Sequence, residues 1–193
     1  MNTNLVSKVG EIGNDNLIAK LTPAAETMGI TVASGSGKLN RGALLGRNGS
    51  GKYVPYGVIT TENQKFNGDG SGKTFTVNAK PATLKSVKVG TTAQTAGTDY
   101  TYEASTGVIT FGTAPAAGTN NVVAEYDVCN ADDLTISCIL ADDVDASTAD
   151  ATAVAYRCGN FNPAAVILPT GYTLTAADLD ALRRFDIIFT QML

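Results

Sequence analysis

The sequence predicts a mainly β protein, and three observations carry that expectation. Apolar runs are short and bounded by Gly, Asn, Asp or Pro, the pattern of strands joined by tight turns. Several of these runs alternate apolar with polar residues, the period of a strand with one buried face. A helical repeat occurs only in one short stretch near the C-terminus. At 193 residues the chain can form one domain or two small ones, either of them large enough to bury a core.

Residues 1 to about 20, MNTNLVSKVGEIGNDNLIAK, are polar and carry only scattered apolar side chains: Leu5, Val6, Val9, Ile12, Leu17 and Ile18. So little apolar surface does not offset the entropy of ordering, and the segment reads as a flexible arm. Its spaced Leu, Val and Ile suit an arm that orders on a partner by adding a strand to a sheet edge. A tail without a role fits the same composition. The stretch lacks the charged start and apolar run of a signal peptide, and no apolar run in the chain reaches the ~18 residues of a membrane span.

From Gly29 to Thr60, ITVAS, ALLG and YVPYGVIT alternate with Gly, Ser and Asn turns, a β pattern. Within it, Gly46 to Lys52 fits the first seven positions of the phosphate-binding loop G-x-x-x-x-G-K-[ST]. That loop wraps phosphates in backbone N–H groups and opens a helix, and its final Ser/Thr hydroxyl holds Mg²⁺. Here the eighth position is Tyr53, and Pro55 among Val, Tyr and Ile predicts extended chain. The expectation is a glycine turn between two strands, with Lys52 solvated.

Near Thr61 the texture changes. Residues 61–130 contain five strand-like runs, KTFTVN, LKSVKVG, DYTYEAS, GVITFG and NNVVAEYDV, separated by turn signals. In the last run Val122, Ala124, Tyr126 and Val128 take one face while Val123, Glu125 and Asp127 take the other. Strands at this spacing predict a small β-sandwich or barrel able to fold alone, inserted into a discontinuous core of residues 21–60 and 131–193. In the second half of that core LTISCILADD, ATAVAYRC and AAVILP are further short runs. Thr175-Ala-Ala-Asp178 has the form of a capping box, and Leu179, Leu182 and Phe185 share a helical face, so one short helix is expected there. The apolar ending IIFTQML is expected to pack or pair.

The chemistry-bearing residue types are thin. Histidine is absent, which removes the usual general base, the usual activator of a serine and the commonest metal ligand. No catalytic constellation, cofactor or metal site is expected. Asp143-x-Asp145-x-Ser147 imitates the start of a calcium loop, but Thr148 stands where that loop needs glycine and Val154 where it needs glutamate. A solvated turn with Asx-type hydrogen bonds is the reading. Cys129, Cys138 and Cys158 lack metal-ligand spacing and read as reduced thiols, with a Cys138–Cys158 bridge geometrically conceivable. Tyr100 and Tyr102 share a strand face and offer a candidate glycan platform. Lys38, Arg41, Arg47 and Lys52 cluster around the glycine turns, where they either meet an acidic partner or keep a strand edge soluble. The net charge of −4 and the lack of any longer basic cluster than Arg183-Arg184 argue against nucleic-acid binding.

Two groups of segments have a more specific wording: SGSGKLNRGALLGRNGSGKYVPYG, and ILADDVDAS followed by AVAYRCGNFNPAAVILPTGYTLTAADLDALR. In order and wording they resemble the lambda-type head decoration proteins of tailed bacteriophages. The resemblance spans about 120 of the 193 residues and omits residues 61–130, where that family has a short loop. It implies a compact decoration-protein β core with one short C-terminal helix, and it implies no enzymatic activity. It further implies a homotrimer at three-fold positions on the outer surface of an expanded capsid, made in the bacterial host cytoplasm. The major capsid protein would be the partner, with no membrane or nucleic acid, and the arm residues Leu5, Val6, Val9 and Ile12 would pair with it. Residues 61–130 would project outward, and binding of host-surface glycan through them is the alternative role.

Overall fold

The computed structural model describes residues 16–78 and 82–191. The protein is mainly β, with one α-helix near the C-terminus. In chain order the first strands are β1 (Ile18–Lys20), β2 (Glu26–Val32), β3 (Gly37–Leu39), β4 (Leu44–Arg47) and β5 (Tyr53–Pro55). There follow β6 (Ile59–Gly68), β7 (Thr74–Thr76), β8 (Thr83–Val89), β9 (Thr92–Gln94), β10 (Tyr100–Glu103), β11 (Val108–Phe111) and β12 (Gly118–Cys129). A 3-10 turn, Asn130–Asp133, leads to β13 (Thr135–Leu140), β14 (Val144–Ala146) and β15 (Ala151–Phe161), then α1 (Ala176–Arg183) and β16 (Ile187–Phe189). Two compact units result. One comprises Pro55–Thr135 with Leu168–Thr173, and the other comprises the chain before, between and after those segments.

The discontinuous unit is organised by β15. Its neighbours run β15-β13-β4-β5-β2, and β2 pairs β15 again, so five strands form a closed ring. Closure removes most of the unpaired edges that an open sheet exposes. The ring is fastened unevenly: β2 pairs β15 from Ala151↔Val32 to Cys158↔Glu26, but meets β5 only at Val32↔Tyr53. Alternate residues point inward. Ile30 and Val32 of β2, Leu45 of β4, Cys138 and Leu140 of β13, and Ala153 and Ala155 of β15 share one buried core. The alanines on β15 leave room for the larger residues opposite, as a small ring requires.

Beyond the ring, the end of β15 is flanked by β1 (Ile18↔Phe161) and, in parallel, by β16 (Gly159↔Ile187). The apolar ending therefore does pair. At Gly159 φ is +141°, and an added Cβ would lie 3.0 Å from Ala25 and from the Phe161 ring, so the crossing at this point needs glycine. Helix α1 starts as the capping box forecast, with Thr175 as its N-cap and reciprocal bonds to Asp178. Leu182 is buried, but Phe185 lies beyond the helix end at Arg183 and is 44% exposed.

The second unit is a two-sheet sandwich. One sheet has the order β6-β12-β8-β9 and the other β10-β11-β7. Val87, Val122, Ala124 and Tyr126 from the first meet Tyr100, Ile109 and Phe111 from the second in one buried core. The expected alternation in β12 is present, with Val122, Ala124 and Tyr126 inward. Strand β6 was not anticipated. Its sequence ITTENQKFNG exposes most of its residues, yet it pairs with β12 from Cys129↔Ile59 to Gly118↔Gly68. The unit begins at Pro55 and ends at Thr135, outside the expected limits of 61 and 130, and it takes in Leu168–Thr173, where Tyr172 stacks edge-on to Tyr56 at 5.8 Å.

Candidate functional site

The segments with the most specific wording come together in the ring unit. β3 (GKL) pairs antiparallel with β14 (VDA), with Lys38 opposite Asp145 and Leu39 opposite Val144. Just after β3, Arg41 joins three segments. Its backbone N–H donates to Asp143 Oδ1 at 2.7 Å, and its guanidinium donates to the Ala141 carbonyl and to the Tyr156 hydroxyl. The same guanidinium lies 5.2 Å from the Tyr156 ring centre. A planar, permanently charged group with several donors is suited to such a junction, and lysine could not make it. Next to it, the Gly42 N–H donates to Leu140 O and the Ile167 N–H to Gly42 O, which draws the AAVILP segment to β4.

The glycine loop of residues 46–52 is a hairpin turn between β4 and β5. Asn48 fills it: its Oδ1 accepts from the Ser50 N–H at 3.1 Å, the Ser50 hydroxyl at 2.8 Å and the Lys52 N–H at 3.0 Å. The Gly51 N–H donates to Asn48 O, and Gly51 has φ +82°, which glycine adopts without strain. Donors that a phosphate cradle would need are thus used inside the turn, and a strand follows it in place of a helix. Lys52 is not simply solvated. Its Nζ lies 2.6 Å from Asp150 Oδ2, and Asp150 also accepts the Ser34 N–H at 2.9 Å. These two bonds, Lys52 first, hold the Asp150 carboxyl below its ordinary value.

The acidic turn is an Asx turn. Asp145 Oδ1 accepts the hydroxyl and the N–H of Ser147, which lower its pKa, and Lys38 lies 3.9 Å from Oδ2. Asp143 is taken up by Arg41. Of the four clustered basic residues, Lys38, Arg41 and Lys52 therefore serve contacts within the chain. Arg47 differs: its Nε donates to Gly51 O at 3.3 Å, and it has no carboxylate partner among the described residues.

The structure corrects one further expectation, the tyrosine platform, and agrees with the reading of the cysteines as reduced thiols. Tyr100 and Tyr102 form no exposed platform, because Tyr100 is buried in the sandwich core and the Tyr102 ring packs against it, its hydroxyl donating to Ala82 O at 2.9 Å. Edge strands β10 and β7 flank β11, and the tyrosine face of β10 is the one the second sheet covers. Cys138 and Cys158 are unbridged, with Cys138 in the ring core, where burial pushes its pKa to about 12. The arm residues Leu5, Val6, Val9 and Ile12 lie outside the described residues.

Sequence reasoning passed over Asn130. Its Oδ1 accepts the N–H groups of Gly57 at 2.9 Å and Val58 at 2.8 Å, and its Nδ2 donates to Pro55 O at 3.0 Å. The two ends of the sandwich unit are clasped by this one side chain. A lone Asn between an apolar strand and an acidic pair was the available signal, since such residues commonly hold turns. In comparison with known proteins the chain matches no family model, no curated protein and no solved structure.

Proposed function

We propose that the protein is a capsid decoration protein of a tailed bacteriophage, without enzymatic activity, that binds the outside of expanded heads as trimers and bridges neighbouring capsomers. One observation carries the reading. Most of the segments whose wording resembles the lambda-type decoration proteins are separated in sequence by the sandwich, yet they interlock through β3–β14 and the Arg41 junction in one unit; Pro55–Gly57 and Leu168–Thr173 alone fall with the sandwich. The residues without that resemblance fold on a core of their own. An insertion in a surface loop is tolerated when its two ends lie close together, and the Asn130 clasp on Pro55, Gly57 and Val58 brings them close.

In this reading the mechanism is cementing. Trimers seal the three-fold positions of the shell. The expected arm of residues 1–20 is shortened at its end, because Leu17 is buried and Ile18–Lys20 pairs with β15, so residues 1–15 are the ones offered for strand addition to the major capsid protein. An acidic protein suits an outer surface that should not capture nucleic acid. The test is co-sedimentation of the full chain with expanded, emptied phage heads, with and without residues 1–15, a deletion that leaves β1 and the buried Leu17 in place. Saturable binding of the full chain in multiples of three, lost on deletion of the arm, is the expected result. Absence of binding, or binding unchanged by the deletion, contradicts the proposal.

A further inference from the structure

The weak fastening of the ring leaves a strand edge open beside a basic groove. Ala33 N–H donates to Tyr53 O at 2.9 Å, so odd-numbered residues of this strand direct their backbone groups away from β15. The next such residues, Thr31, Gly29 and Thr27, follow along β2, which meets β5 at Val32 alone. Thr27 and Gly29 have no hydrogen-bond partner on that side among the described residues. All three residues are exposed. A groove of about 360 Å³ runs along this edge, lined by Gly29, Thr31, Arg47, Gly51, Tyr53 and Thr152 among others.

Three features set this edge apart from an incidental one. Protected edges usually carry a charge, a proline or a bulge; Thr27–Thr31 has no charge or proline, β2's one charge being its first residue, Glu26, and the register shift beside Thr27 lying on β15 between Tyr156 and Cys158. Gly29 is unforced: its φ is not positive, and a Cβ there would meet nothing within 4 Å. With no side chain at Gly29, the face of the strand beside the edge is left bare, as at sites where another backbone approaches closely. Finally, Arg47 is pinned at its Nε by Gly51 O, which leaves the forked end of the guanidinium for a carboxylate. The groove holds no acidic side chain to neutralise it.

We infer that the β2 edge is a docking site for an extended peptide segment of a partner protein, which adds as an antiparallel or parallel strand along Thr27–Thr31 and places an Asp or Glu on Arg47. The inference goes beyond the decoration reading and does not depend on it. Backbone bonds supply the affinity and the charge pair sets the register, as in other strand additions. Five residues of β2 give room for a strand of roughly 17 Å.

The test uses the full isotope-labelled chain and a capped heptapeptide of alternating threonine and valine with a central glutamate. Titration followed by amide NMR is expected to shift Thr27, Gly29 and Thr31 and to slow their hydrogen exchange. Methylating alternate peptide nitrogens, which blocks strand pairing without touching the protein, is expected to abolish binding. Replacing the glutamate with lysine, or making Arg47→Gln, is expected to weaken binding about tenfold, the scale of one charge-assisted bond. Gly29→Pro, which removes the outward N–H without touching the bonds to β15, is expected to block it. No binding at millimolar peptide, shifts confined to other surfaces, or indifference to N-methylation overturns the inference.

Discussion

Asn130 ties the two ends of the sandwich unit together through three hydrogen bonds. Replacing it with alanine strands the Gly57 and Val58 N–H groups, part-buried and without acceptors. Asn130→Ala is predicted to lower stability by about 2–3 kcal/mol, measured as a shift of the urea midpoint at constant slope. Asn130→Asp keeps the acceptor for both N–H groups but sets a second oxygen against the Pro55 carbonyl in place of the donor, so it is expected to destabilise as well. The thiols make a second prediction at this scale. Burial keeps the Cys138 proton until about pH 12, and only the thiolate reacts with disulfide reagents. Cys129 and Cys158 are half-buried, so a disulfide reagent should find two thiols in the native protein and three when it is unfolded. Three fast thiols in the native state would mean that the ring core is open.

Elements show where the sequence is a sufficient guide and where it is not. In β12 the alternation of Val122, Ala124 and Tyr126 with Val123 and Glu125 reports the buried face directly, because one side is solvated. β6 gives no such signal. Glu62, Gln64 and Lys65 occupy a polar edge strand whose existence depends on backbone pairing with β12, and backbone pairing leaves no mark on side-chain type. The start of α1 is legible because Thr175 and Asp178 act locally, and its end is not, which is why Phe185 falls off the helical face. Thr175→Ala is predicted to cost about 1 kcal/mol by denaturant unfolding, the usual value of an N-cap side chain. The turns add a pH dependence. Asp69, Asp127, Asp145 and Asp150 all titrate below the ordinary 3.8, held there chiefly by hydrogen bonds from Gly72 and Ser71, Thr61, Ser147 and Lys52 respectively. A depressed carboxylate contributes stability above its unfolded pKa and loses it as the pH falls through the folded one. The thermal midpoint should therefore hold near pH 5 and fall as the pH drops below about 4, and Asp150→Asn should blunt the fall.

At the scale of the whole molecule, the interruption of one unit by another was visible as a change of texture near Thr61 and its reversal after Asn130. Ring closure was not. It depends on β15 pairing with β2 and β13 at once, and neither partner is near it in sequence except β13. Nor could the sequence foretell that Leu168–Thr173 joins the sandwich, because that assignment rests on the Tyr56–Tyr172 contact across more than a hundred residues. Residues 55–135 excised alone should retain a dispersed amide spectrum, since their core is self-contained, but with stability lowered by about 1 kcal/mol for the lost ring pair. The central claim, a trimeric protein that cements expanded phage heads, is tested most directly by a cryo-EM map of heads saturated with the full chain. The account predicts density for three copies at each three-fold position on the outer surface, with the arm running into a capsid-protein sheet. A map with no added density, or with single copies away from the three-fold axes, would contradict it.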